Sequence, residues 1–295
     1  MIGLLRADSI RLRRRYDVWI VGLAVPLLAA FGFIRGYFDI PSHYGFDTSL
    51  PTPPEIVAQM ATEQSHFGFP YSIVMMLDSV PWVLVAVFFM TAMTIGGDFD
   101  WGTIRTSLLA STDRHRFLAS RSIAMASIAV AMILLLLALA VILPAVLAVT
   151  GNVLPTSANE FPASGSLVAG NIGVAIAARI LVVVFVVAFS GLLTVVTRNP
   201  AMPLLFGLIY FILESYVSNS SLFRDESGPI WLARVFPLQS VSGLLGDTRQ
   251  AITSANDPSA AVGWPLWAGF LAVAAWSAIL YFLADRIFRR ADITE

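Results

Sequence analysis

Cysteine is absent from this 295-residue chain, and so is lysine: all 18 basic side chains are arginine. The first absence excludes disulfides, thiol nucleophiles, cysteine-based zinc sites and Cys-ligated iron–sulfur clusters. The second excludes a standard P-loop, whose lysine reaches the nucleotide phosphates. If ATP powers this chain, another polypeptide binds the ATP. Charge is scarce as well. Only 13% of residues are charged and 57% are hydrophobic, whereas a soluble domain is about a quarter charged. That composition suits hydrocarbon as solvent. The net charge of −1 creates no long-range field for nucleic acid.

A bilayer core of about 30 Å needs about 20 apolar residues of helix. Six segments supply them, at about 18–38, 71–96, 122–150, 168–196, 201–217 and 264–283. The third is too long for one straight crossing and is expected to tilt or to kink at Pro144. The fold predicted is all-α: a single transmembrane domain over residues 1–295, with six transmembrane helices.

Arginine placement orients it. One side collects thirteen arginines, among them Arg13, Arg14, Arg15, Arg114, Arg121 and Arg289; the other has Arg35, Arg224, Arg234 and Arg249. The positive-inside rule makes the first side cytoplasmic and puts both termini there. Residues 1–16 place Ile2, Leu5 and Leu12 on one helical face, which predicts an amphipathic helix on the cytoplasmic leaflet. Residues 39–70 and 218–263 become outer loops. In the first, Pro53-Pro54-Glu55 suits a helix start. In the second, the apolar stretch around Trp231 and Phe236 is too short to span and predicts a re-entrant or interfacial segment. Thr197-Arg198-Asn199-Pro200 forms a tight cytoplasmic hairpin.

Three ionisable residues fall inside spans: Asp78, Arg179 and Glu214. Such residues are costly in hydrocarbon and carry a functional hypothesis by default. All three fall in the outer half, and Arg179 is expected to pair with Glu214 or Asp78. Two readings stay open: a structural pair that fixes helix packing, or a polar lining of a transport path.

The longest cytoplasmic loop, 97–121, mixes Trp101, Ile104, Leu108 and Leu109 with polar residues at helical spacing. It suits a short surface helix with one face available to a partner, and Thr112 or Asp113 suits the cap of the next helix. An acidic residue (Asp98 or Asp100), Gly102-Thr103, Arg105, Leu108-Leu109, Arg114 and Arg121 follow one another here. In this pattern the chain resembles the ABC type-2 (ABC-2 family) permeases, the membrane-spanning subunits of ATP-binding-cassette exporters. The ending Phe288-Arg289-Arg290-Ala291-Asp292-Ile293 and the predicted topology extend the resemblance along the whole chain. The family usually has glutamate where Asp98 or Asp100 stands and often lysine where Arg121 stands.

The resemblance implies that this loop docks on a separate ATPase subunit, with Asp98, Asp100, Trp101, Gly102, Thr103, Arg105, Leu108 and Arg114 as its contact residues. It implies two ATPase copies per complex, ATP and Mg bound on them and no cofactor on this chain, and a second permease copy or a sister permease. Membrane lipids are the remaining partner. An intramembrane hydrolase would need a Ser–His or paired-carboxylate arrangement at membrane depth. His43, His66 and His115 all fall in predicted loops, so no catalytic residue and no metal site is assigned. An ion-coupled secondary transporter is the other alternative; such carriers often show two repeated halves with broken helices, and no matching half is present.

Overall fold

A computed structural model describes residues 16–43, 67–68, 71–100, 114–149, 165–218, 236–253 and 265–290, with residues 10, 14, 55, 56 and 59. Among them there is no strand. A segment surrounded by hydrocarbon has to satisfy its backbone internally, and a helix does so within itself. The extended helices among the described residues are, in order, α1 (Tyr16–His43), α2 (Tyr71–Leu77), α3 (Val80–Asp100), α4 (Arg114–Val149), α5 (Gly165–Thr197), α6 (Met202–Ser218), α7 (Pro237–Thr253) and α8 (Leu266–Arg290). Five stretches are long and apolar enough to cross a bilayer: Val18–Ile40, Tyr71–Phe99, Arg114–Val149, Gly170–Thr197 and Leu266–Arg290. They mark a membrane protein. The predicted 201–217 span is α6, at 17 residues about 26 Å long and so shorter than the other five.

Helix α5 is the hub. It packs against α3, α4, α6, α7 and α8, while α1 lies at the side against α2, α3 and α4. Small residues on α5, such as Ala175, Ala178 and Val182, are fully buried and let neighbouring helices approach closely. The main core gathers Met76, Val80, Val83, Met125, Ile133, Leu136 and Phe185. A polar tie reinforces the α5–α3 contact: the Ser190 hydroxyl donates to the Phe88 carbonyl at 2.8 Å.

Several predicted boundaries are corrected. The 71–96 span is two helices, α2 and α3, separated by a turn at Asp78–Ser79. Pro81 has no N–H to continue the ladder, and the turn is closed instead by Ser79 N–H to the Met76 carbonyl and Trp82 N–H to the Ser79 carbonyl, both 3.1 Å. Helix α4 begins at Arg114, directly after the expected Thr112–Asp113 cap and ahead of the 122–150 apolar run, and continues through Pro144. Its 36 residues extend about 54 Å, well beyond hydrocarbon thickness. Since α3 runs on to Asp100, residues 97–100 and 114–121 of the predicted 97–121 loop are helical, and 101–113 lie outside the described residues. Helix α8 continues past 283 to Arg290. The predicted 218–263 loop contains a 17-residue helix, α7. Glu55, Ile56 and Gln59 are helical. The amphipathic helix predicted for 1–16 lies outside the described residues except at positions 10, 14 and 16.

The 197–200 hairpin is present. Arg198 takes a left-handed conformation (φ 52°), its N–H bonded to the Thr194 carbonyl at 2.8 Å, and the Asn199 side chain accepts the Ala201 N–H at 2.8 Å. The turn lies directly on α3: a Cβ added at Gly96 would be 2.6 Å from the Pro200 Cα. Only glycine fits there. Gly96→Ala is expected to lower thermal stability by about 1–3 kcal/mol through overpacking. Gly97→Ala, whose Cβ meets nothing within 4 Å, is the control and is expected to leave the melting temperature of the purified protein unchanged.

Candidate functional site

Two polar clusters lie at opposite ends of the bundle. At the arginine-rich end, Asp98 from α3 faces Arg121 from α4 at 3.0 Å, with 1% and 3% of these side chains exposed. The Arg121 guanidinium also lies over the Phe117 ring, 5.2 Å from its centroid. Phe117 stacks on Phe288 of α8, and Phe99 meets Phe288 edge-on. Ile95, Leu118, Val195 and Ala284 complete this small second core. A buried charge is retained when it has a partner, and here each partner comes from a different helix.

Beside this core, the start of α4 is tied to the end of α8. Arg114 donates to the Arg289 carbonyl at 3.0 Å. The His115 Nδ1 lies 2.9 Å from Asp285, whose other carboxylate oxygen takes Arg289. A cation at a helix C-terminus also complements the exposed carbonyls there. The end of α3 thus lies beside a buried ion pair, and the start of α4 is anchored to α8.

The predicted contact residues divide accordingly. Asp98 is buried and directed at Arg121. Arg114 is engaged with α8. Asp100 ends α3, and its side chain is not among those described. Trp101, Gly102, Thr103, Arg105 and Leu108 lie outside the described residues. Sequence reading placed Arg121 in the family pattern but not opposite Asp98. The 23-residue separation carries no periodic signal that would have paired them.

At the other end, the three ionisable residues within spans are brought together by one element, α7, though not with each other. The expected pairing of Arg179 with Asp78 or Glu214 is not formed. Arg179, buried in α5, donates to the Ala175 carbonyl at 3.0 Å and to the Thr248 hydroxyl of α7 at 3.3 Å. Asp78 pairs instead with Arg249 of α7 at 3.1 Å. Glu214 of α6 accepts the backbone N–H of Gln239 at 2.7 Å. The reason lies in α7 itself. Its first turn begins with Pro237, which has no N–H to satisfy, and the orphan N–H of Gln239 two residues on is capped by Glu214 from outside the helix. A carboxylate there also faces the positive end of the helix dipole. Each span charge therefore satisfies a group that α7 brings down to it.

The buried Arg179 Nε–H has no hydrogen-bond partner among the described residues, while the Glu214 carboxylate also has the Tyr210 hydroxyl within hydrogen-bonding reach, one turn back on α6. Thr248, Arg249 and Gln239 were missed as site residues because 218–263 read as a loop. The signal was present: Pro237 at a helix start, followed by Val241, Leu244 and Leu245 at helical spacing.

A family profile described as a protein of unknown function (DUF2705) matches residues 57–294, and the chain belongs to that family. No curated protein matches it.

Two substitution sets test the clusters. Arg121→Ala strands a buried carboxylate and is expected to cost about 3–5 kcal/mol, whereas the paired change Asp98→Leu with Arg121→Met should be far milder; chemical unfolding in detergent compares them. Glu214→Ala removes the cap of α7 and is expected to cost about 1 kcal/mol, with Glu214→Gln retaining most of it. The melting temperatures of the two variants read this out.

Proposed function

We propose that this chain is the membrane-spanning permease subunit of an ATP-driven exporter of the ABC type-2 class. In this reading it is a multi-pass protein of a bacterial plasma membrane. Helix α6 serves as a short fifth crossing, giving six spans with both termini in the cytoplasm. ATP and Mg bind on a separate ATPase subunit, present in two copies, and the permease pairs with a second copy or a sister. The cargo is amphipathic: a drug, antibiotic, peptide or lipid.

One observation carries the reading. The segment 101–113, which bears most of the family-like pattern, is bounded by two interhelical anchors. Asp98–Arg121 ties α3 to α4, and Arg114 and His115 tie α4 to α8. A push on such a segment reaches three spanning helices at once. Mechanical coupling to an ATPase needs that arrangement; a connecting loop in a secondary carrier does not.

The arrangement also refines the roles of the candidate residues. Asp98 acts as a positioning residue that holds the loop's base, and direct contact with the ATPase falls to Trp101 and Arg105. At the far end, α7 covers Arg179 and Glu214. Displacing α7 would present those groups to a polar part of the cargo, so the structural and path-lining readings describe two positions of one element.

Mild-detergent purification of the tagged chain from its host is expected to bring down a stoichiometric ATPase. That ATPase should be lost from Trp101→Ala/Arg105→Ala, while the permease keeps its melting temperature. Purification without any ATPase, together with solute movement driven by an ion gradient alone, would replace this reading with a secondary carrier.

A further inference from the structure

A cavity of about 790 Å3 lies between α1 and the α2–α3 pair. Small-molecule sites usually occupy about 300–1,000 Å3. Of its fifteen lining residues, Ser79 alone has a polar side-chain hydroxyl and none is charged. Along α1 the lining runs from Val21 to Gly36, about 22 Å of helix and more than the ~15 Å depth of one leaflet.

Three features identify what fills it. First, its mouth opens sideways: Leu28, Trp82 and Val85 line it and are also 68%, 70% and 63% exposed on the flank of the bundle, where the surrounding medium is hydrocarbon. Second, the end at Gly36 is plugged. Phe67 packs edge-on against Phe33 and Tyr37 at 5.0 and 5.6 Å, and its ring lies 3.3 Å from a Cβ built on Gly36. Third, Gly32 leaves this wall of the groove open, since a Cβ there would meet nothing within 4 Å. An apolar void of this size left empty would forfeit the dispersion contacts of its whole lining, and apolar cavities stay dry and take up apolar guests. The apolar species present at high concentration at a lateral mouth is the lipid tail.

We propose that the α1/α2–α3 cavity is a binding groove for one acyl chain of a bilayer phospholipid, entered from the side, with the headgroup left at the membrane surface. The groove joins α1 to a bundle it otherwise contacts through few elements. This inference rests on residence in a bilayer and not on an ATPase partner, so loss of the permease reading would leave it standing.

The test uses the full chain in vesicles of phosphatidylglycerol whose acyl chain bears a photoreactive diazirine. Labelled residues are mapped by mass spectrometry. Labelling is expected to concentrate on Gly32, Met75, Ala86 and their groove neighbours. It should be lost there in Gly32→Leu, which fills that part of the groove, while labelling of outward-facing Leu208 on α6 stays unchanged. Ala29→Leu, which narrows the same groove one turn away, provides the same reading should Gly32→Leu fold poorly. Labelling spread evenly over all outward faces and indifferent to both substitutions would overturn the proposal. So would protection of Leu28 and Trp82 by a second copy of the chain, which would make the groove a subunit interface.

Discussion

A polar side chain placed in hydrocarbon has to find its partner inside the protein, and in this chain that constraint fixes which helices meet at each end of the bundle. Desolvating a carboxylate or a guanidinium costs several kcal/mol even after relaxation. Asp98 can sit almost completely buried because Arg121 arrives from the next helix, and Arg121 is in turn held over Phe117. Once α3 and α4 are joined there, Phe288 has a surface to pack on, and α8 follows. The aromatic contacts alone would allow helices to slide; the ion pair sets their register.

The same constraint operates differently at the far end. Asp78 lies in the turn between α2 and α3, Arg179 on α5 and Glu214 on α6, and no hydrogen bond or ion pair joins any two of them. Helix α7 instead supplies a guanidinium to the first, a hydroxyl to the second and an unoccupied backbone N–H to the third. This arrangement is more adjustable than a buried ion pair. The Asp78–Arg249 contact is partly solvated, and surface pairs of that kind contribute little to stability. The hydroxyl and capping bonds are worth about 1 kcal/mol each. One end of the molecule is therefore locked by a deeply buried pair, while the other is held by several modest bonds to a single short helix. The proposed transporter, driven from one end and opening at the other, would use that asymmetry.

Much of this was legible from composition and periodicity. Long apolar runs announced the helices, because hydrocarbon leaves the backbone few alternatives, and their placement agreed with the structure to within a few residues for α5 and α6. The 197–200 turn was readable because proline and asparagine act locally. Errors came wherever a boundary depended on something outside the apolar run. Helices α4 and α8 continue into polar sequence because each has the other to pack against, through Arg114, His115 and Asp285. Hydropathy alone does not show that for residues 114–121 or 284–290; for α4 only the cap residues Thr112 and Asp113 marked the start. The Asp78–Ser79 break depended on Pro81, whose effect was underweighted against a continuous hydrophobic pattern.

By itself the sequence determined the apolar composition, the helical class, the lack of a lysine for a standard P-loop and the three residues whose burial would be costly. These are properties of side-chain chemistry and short-range spacing. The tertiary structure decided which partner each costly residue takes. Arg179 lies closer in expectation to Asp78 and Glu214 than to Thr248, and only the descent of α7 onto α5 reverses that preference. Asp98 and Arg121 are 23 positions apart on separate helices, so their meeting depends on how α3 and α4 cross. Pairing in a bundle is a matter of packing geometry, and packing is settled by the whole set of helices at once.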